Sequence, residues 1–73
     1  MKLLEAREGS TVEILNIEGG LGVRNRLAAI GIYPGARVRV IKSPPGPFIV
    51  EVAGSRVAIG KGMAAKVEVR EVE

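Results

Sequence analysis

The sequence RVRVIKSPPGPFIVEVAGSRVAI, residues 37–59, alternates apolar and polar side chains between turn-forming residues and therefore indicates two consecutive β-hairpins. Pairing residues 37–42 with residues 48–52 across the loop rich in proline predicts four cross-strand pairs: Lys42–Phe48, Ile41–Ile49, Val40–Val50 and Arg39–Glu51. A Gly54-Ser55 turn in the second hairpin sets Val52 against Val57 and Val50 against Ile59. One face of these strands is apolar throughout and predicts the core: Val38, Val40, Val50, Val52, Val57 and Ile59.

The segments on either side add two more strands. In residues 11–17 the alternation breaks, because Val12 and Ile14 share one face whereas Leu15 and Ile17 share the other. We expect either a β-bulge near Leu15 or a strand that is covered on both faces. Residues 66–70 alternate as a last strand with Val67 and Val69 inward, after a segment too short for more than one helical turn.

A short helix is predicted between the first two strands. Val23, Leu27 and Ile30 follow helical spacing, and Gly31 supplies a stop signal for the C-terminus. Pro34-Gly35 then has the residues that a type II turn requires at its two central positions. The sequence thus predicts a mostly β domain spanning residues 1–73. Its expected form is a small, partly open barrel of about five antiparallel strands with a short helix after the first.

Composition restricts the chemistry. The chain has 73 residues and a formal net charge of +3, and it contains neither Cys nor His, while all eight acidic residues are Glu. The usual general base and the usual ligands of zinc or iron are therefore missing, so we expect no enzyme, no cofactor and no dedicated metal site. The carboxylates of Glu68, Glu71 and Glu73 alternate along a strand end and are not expected to converge on a cation. Charges near the N-terminus and the lack of a long apolar run indicate a cytoplasmic chain without membrane insertion.

Two glycine-containing motifs are incomplete. Residues 20–25, GLGVRN, lack the third glycine of a dinucleotide-binding fingerprint, and the spacing from Gly54 to Lys61 is wrong for a phosphate-binding loop. A small basic barrel that binds nucleic acid stays as an alternative function, because Arg37 and Arg39 share a strand face. Solvated surface charge is the favoured interpretation, since no aromatic pair is available for base stacking.

Four apolar residues are predicted to point outward. Ile41 and Ile49 lie opposite the core face, and Ile32 and Tyr33 follow the helix. They fit a contact surface for a protein partner, but the helix folding over them explains the pattern equally well.

The string RLAAIGIYPG, residues 26–35, resembles the central signature of the ferrous iron transport protein A family, R-L-x-x-[MI]-G-[LI]-x-P-G. Ala64, Val67 and Val69 are similar to the closing A-x-x-[IV]-x-V pattern of that family, and the likeness extends over the whole chain. The resemblance implies an SH3-like barrel that assists ferrous iron uptake by contacting ferrous iron transport protein B, a membrane permease with a cytosolic GTPase domain. It also carries the transition-metal-binding label of the family, and it leaves homo-oligomerisation open.

The resemblance, together with the outward apolar residues, predicts a partner-binding surface on one side of the domain. In the signature, Leu27, Ile30 and Gly31 would position the helix, and Pro34-Gly35 would set a turn that presents Tyr33. An alternative to the transport role is a free-standing relative of the C-terminal SH3-like domain of iron-dependent repressors. The candidate partner-binding residues are Arg24, Arg26, Leu27, Ile32, Tyr33, Pro34, Gly35, Ile41 and Ile49.

Overall fold

The architecture is one five-stranded antiparallel sheet with two short helices, seen in a computed structural model that describes residues 1–73. The elements follow the order β1 (Thr11–Ile17), α1 (Leu21–Ala29), β2 (Arg37–Lys42), β3 (Phe48–Val52), β4 (Ser55–Ile59), α2 (Lys61–Ala64) and β5 (Val67–Glu71). A single 3-10 turn at Leu3–Glu5 precedes them. The strand order β4-β3-β2-β1-β5 leaves β4 and β5 unpaired with each other, so the sheet does not close. The predicted fold class is confirmed.

Strand β1 contains the bulge that its broken alternation predicts. Its register with β5 shifts between Ile14 and Asn16, which inserts Leu15 as the extra residue. Leu15 is 45% exposed, whereas Ile14 and Ile17 on either side of it are buried. The bulge therefore returns Ile17 to the core face, and the alternative of a strand covered on both faces is wrong.

The first hairpin follows the predicted register only in part. Arg39 pairs with Glu51 and Val40 with Val50, as expected. The register then shifts, and Lys42 rather than Ile41 pairs with Ile49. The predicted pairs Ile41–Ile49 and Lys42–Phe48 are therefore wrong, because a second bulge lies at Ile41.

The second hairpin turns one residue earlier than predicted. Ala53 and Gly54 form the two-residue turn with φ of 51° and 84°, the positive values that a type I′ turn requires at both central positions. Val50 consequently pairs with Val57, and Phe48 pairs with Ile59. The expected Gly54-Ser55 turn is wrong by one residue, and its pairs are wrong by two. A shift of two preserves the inward face, so five of the six predicted core residues are buried and Val57 is half-buried.

The core is a cluster of 16 apolar residues, and its largest member is Phe48. Helix α1 contributes only Leu27 to it, and Ile32 follows from the segment after the helix. The sequence predicts Ile30 on the same apolar face, but this residue lies beyond the last helical residue and is 39% exposed. Ile41 and Ile49 are half-buried and outside the cluster. The helix thus covers the core side of the domain.

None of the helices combines the length and the apolar character needed to cross a membrane.

Candidate functional site

A groove of about 300 Å³ runs between helix α1, the end of β1 and the turn after the helix. One wall is a single helix face, because Leu21, Arg24, Asn25 and Ala28 are spaced i, i+3, i+4 and i+7. The opposite wall comes from the end of β1 and from the turn: Asn16, Ile17, Tyr33 and Pro34. The helix therefore has two roles, with Leu27 in the core and the neighbouring stripe facing the groove.

The C-terminal end of α1 explains how so short a helix is fixed. The amide of Ile32 donates to the carbonyl of Leu27 at 2.9 Å, and the amide of Gly31 donates to Ala28 at 3.0 Å. These two bonds form a Schellman motif, in which the residue after the glycine packs against the last helical turn. Leu27 and Ile32 are the apolar pair that this motif brings together, and both are fully buried.

Gly31 is required in this motif for two independent reasons. Its φ is +95°, in the left-handed region that side chains with a β-carbon rarely adopt. A β-carbon added there would also lie 2.6 Å from Cγ1 of Val52. The chain therefore leaves the helix in close contact with β3.

The turn that carries Tyr33 and Pro34 is held against β1. The amide of Ala36 donates to the carbonyl of Tyr33 at 3.0 Å, and Gly35 has a φ of +95°, as the predicted type II turn requires. The amide of Gly35 also donates to the carbonyl of Ile14 at 2.8 Å. Because the turn is anchored to the strand, it presents Tyr33 in a defined place, where the side chain is 51% exposed.

The groove combines apolar surface with a single unpaired charge. Leu21 is 74% exposed, an unusually large fraction for a leucine on an ordered helix, and Tyr33, Pro34 and Ala28 extend the apolar lining. Arg24 is the only charged residue of the lining, and no carboxylate lies within salt-bridge distance of it. The lining therefore suits a polypeptide segment with apolar side chains and a carboxylate.

The structure brings together some of the predicted partner-binding residues and separates others. Arg24, Tyr33 and Pro34 line the groove, and Gly35 shapes its turn. Leu27 and Ile32 are fully buried, so their assignment to a partner surface is corrected to a core role. The remaining predicted residues do not line the groove: Arg26, Ile41 and Ile49.

Five groove residues are not predicted from the sequence: Asn16, Ile17, Leu21, Asn25 and Ala28. The available signal is helical spacing on the face next to Leu27. The predicted helical spacing begins at Val23, whereas the helix begins at Leu21. The prediction therefore omits Leu21, which is the first residue of the groove stripe.

The carboxylates near β5 are engaged in ion pairs. The amino group of Met1 donates to Glu68 at 2.8 Å, and Lys2 Nζ lies 3.2 Å from the same carboxylate. These bonds hold the pKa of Glu68 below its ordinary value of 4.5. Arg7 pairs with Glu71 at 3.1 Å. No group of three or more His, Cys, Asp or Glu side chains is arranged to hold a metal ion.

Comparisons with known proteins agree with this architecture. The FeoA domain model matches residues 1–71. A candidate Fe(2+) transport protein A of Methanocaldococcus jannaschii is 40% identical over 68 residues, which cover 93% of this chain and 83% of that protein. The crystal structure of an iron uptake regulatory protein, FeoA, superposes with a TM-score of 0.93 at 42% identity, covering 99% of this chain and 97% of the other.

A further similar structure identifies the type of fold. FeoA of Stenotrophomonas maltophilia, complexed with zinc, matches with a TM-score of 0.81 at 26% identity, over 96% of this chain and 89% of that one. It is described as an SH3 domain protein and a candidate activating factor of ferrous iron transport. The sheet described above is thus SH3-like, and this chain belongs to the FeoA domain family.

Proposed function

We propose that this chain is a non-enzymatic, cytosolic accessory protein of ferrous iron uptake, and that it acts by binding the cytosolic part of the ferrous iron permease, ferrous iron transport protein B. Family membership supports the link to iron uptake. The groove beside α1 supports a contact with a protein partner, because it exposes Leu21 and Tyr33 next to the unpaired Arg24. Residues 1–73 would serve as one binding module.

The proposed occupant is a polypeptide segment that places apolar side chains between Leu21 and Tyr33 and a carboxylate near Arg24. An aromatic side chain that is half exposed offers a large contact area at a low cost in side-chain entropy. An arginine without an internal partner can give a charge-assisted hydrogen bond without first breaking one. Both features favour a protein partner over a small-molecule substrate.

The test is a titration of the purified cytosolic GTPase domain of the permease, and of the full permease in detergent, with the wild-type chain. We expect binding in the range of tens of micromolar, about −6 kcal/mol. Tyr33→Ala and Arg24→Glu should each weaken it at least tenfold, as expected for residues at the centre of an interface. Arg26→Glu is the matched control, because it makes the same charge change on α1 outside the groove.

Two results would contradict the proposal. One is the absence of binding to either form of the permease, combined with unchanged ferrous iron uptake in cells that lack this protein. The other is an equal loss of binding in Arg24→Glu and Arg26→Glu, which would indicate a general charge effect rather than the groove.

A further inference from the structure

The net charge of the chain is concentrated on one part of its surface, the outward face of β2, β3 and β4. Four cations project from this face: Arg37, Arg39 and Lys42 on β2, and Arg56 on β4. Glu51 on β3 is its only carboxylate. Four cations against one carboxylate give +3, which is the whole formal charge of the protein, and the other seven cations are balanced by the other seven carboxylates. We name these five residues the basic face.

The cations of the basic face have no internal ion-pair partners. All five salt bridges of the structure use only the amino group of Met1, Lys2, Arg7 and Arg70 as cations. Arg37 stands opposite Glu13, but that carboxylate already accepts a hydrogen bond from Arg70 at 2.6 Å. The ion pairs thus lie around β1 and β5, and the four cations on β2 and β4 are unpaired.

Strand pairing sets the spacing of these charges. Arg39, Glu51 and Arg56 occupy one row across β2, β3 and β4, which places the two arginines about 10 Å apart. Lys42 belongs to the next row, beside Ile49 and Ala58. Separations of about 10 Å are within a Debye length at moderate salt, so the charges act together on an anionic surface.

The surroundings favour lipid headgroups over nucleic acid. The basic face carries no aromatic side chain, because Phe48 is in the core and Tyr33 lines the groove, so it offers no stacking platform for bases. It does carry the half-buried Ile49 between its cations. Apolar surface beneath long cationic side chains is the arrangement in which aliphatic stems pack down and charged ends reach a headgroup layer.

We propose that the basic face binds the anionic surface of a lipid bilayer electrostatically, without insertion. This surface shares no residue with the groove beside α1. The proposal does not depend on the permease, because lipid alone is the ligand.

The experiment is cosedimentation of the full chain with vesicles of phosphatidylcholine containing about 30% phosphatidylglycerol, with pure phosphatidylcholine vesicles as the blank. At roughly 50 mM salt we expect half of the protein to be bound at about millimolar lipid. Four cations near an anionic surface contribute about 4 kcal/mol of binding free energy, which corresponds to that concentration. Raising the salt to roughly 300 mM should abolish it. Arg37→Gln/Arg39→Gln should lower the partition coefficient about 25-fold.

The matched control is Lys61→Gln/Lys66→Gln, which removes the same charge from exposed positions outside the basic face. We expect less than about a threefold loss from it, since these cations lie away from the bound surface. Far-UV circular dichroism verifies that both double variants remain folded, which substitutions at exposed positions should permit.

Several outcomes would overturn the proposal. No binding to anionic vesicles at low salt excludes it, and so does an equal loss in the two double variants. A duplex oligonucleotide, a single-stranded RNA or polyglutamate that binds the chain more tightly than the vesicles at the same salt assigns the basic face to that polymer instead.

Discussion

Gly31→Ala tests how helix α1 is attached to the sheet. Two costs add at this position: a non-glycine residue in the left-handed region costs about 1–2 kcal/mol, and the new methyl would lie 2.6 Å from Cγ1 of Val52. Val52 is buried, so it has little room to move, and overpacking of this kind costs about 1–3 kcal/mol. The reduced entropy of the unfolded chain offsets up to about 1 kcal/mol. We expect a net loss of about 2–4 kcal/mol.

Gly35→Ala is the matched control, because Gly35 has the same φ of +95° but no atom within 4 Å of its added β-carbon. It should lose only about 1–2 kcal/mol, the cost of the backbone conformation. The measurement is urea unfolding followed by far-UV circular dichroism, supported by melting temperatures. For a domain of this size each kcal/mol corresponds to about 4–8 °C, so Gly31→Ala should melt roughly 8–32 °C lower than the wild type.

A double-mutant cycle isolates the contact itself. Val52→Ala removes the atom that the new methyl would meet, at a cost of about 1.5 kcal/mol for two buried methyl groups. The double variant Gly31→Ala/Val52→Ala should then be more stable than the sum of the single losses by about 1–3 kcal/mol. Equal losses in Gly31→Ala and Gly35→Ala, together with additivity in the cycle, would refute the close packing of Gly31 on β3.

Two further predictions concern the carboxylates. Since the pKa of Glu68 lies below 4.5 in the folded state, its ion pairs stabilise the protein above that pH, and the stabilisation is lost as the pH falls through the folded value. Melting temperatures between about pH 5 and pH 3 should therefore fall less steeply in Glu68→Gln than in the wild type, and parallel curves would contradict this. Anaerobic calorimetry should find Fe²⁺ affinity no tighter than roughly millimolar, because no three carboxylates converge, and a one-to-one micromolar isotherm would refute it.

The sequence predicts which strand faces point into the core more accurately than it predicts which residues pair across strands. Alternation identified the core sides of β2, β3 and β5 and located the bulge at Leu15, because a one-residue slip would expose a whole apolar face. A two-residue slip has no such penalty, and the β3–β4 hairpin was predicted with that error. The observed register pairs Phe48 with Ile59 and so covers the largest core side chain. It requires a positive φ at Ala53, a choice that local turn preferences disfavour.

The sequence predicts the turn that forms one wall of the candidate site, but it does not predict the wall that helix α1 forms. Pro34 and Gly35 have clear type II turn chemistry, and Tyr33 follows from it. The sequence predicts Ile32 at the surface, because this residue follows the helix stop at Gly31. The Schellman motif reverses that assignment, since the residue after its glycine packs back on the helix. An apolar residue directly after a stop glycine is the sequence signal that indicates a buried position rather than a surface position.

Helix α1 is attached to the core by few buried side chains, and this bears on the proposed binding of a partner in the groove. A helix of nine residues is not stable in water on its own, and this one buries a single side chain, Leu27. Its position therefore depends on the Leu27–Ile32 pair and on the passage of Gly31 past Val52, both at its C-terminal end. The N-terminal half, with Leu21 and Arg24, is held more weakly, because only the half-buried Val23 packs against the core there. A partner bound in the groove would add apolar contacts to that half, so binding and ordering of the helix would reinforce each other.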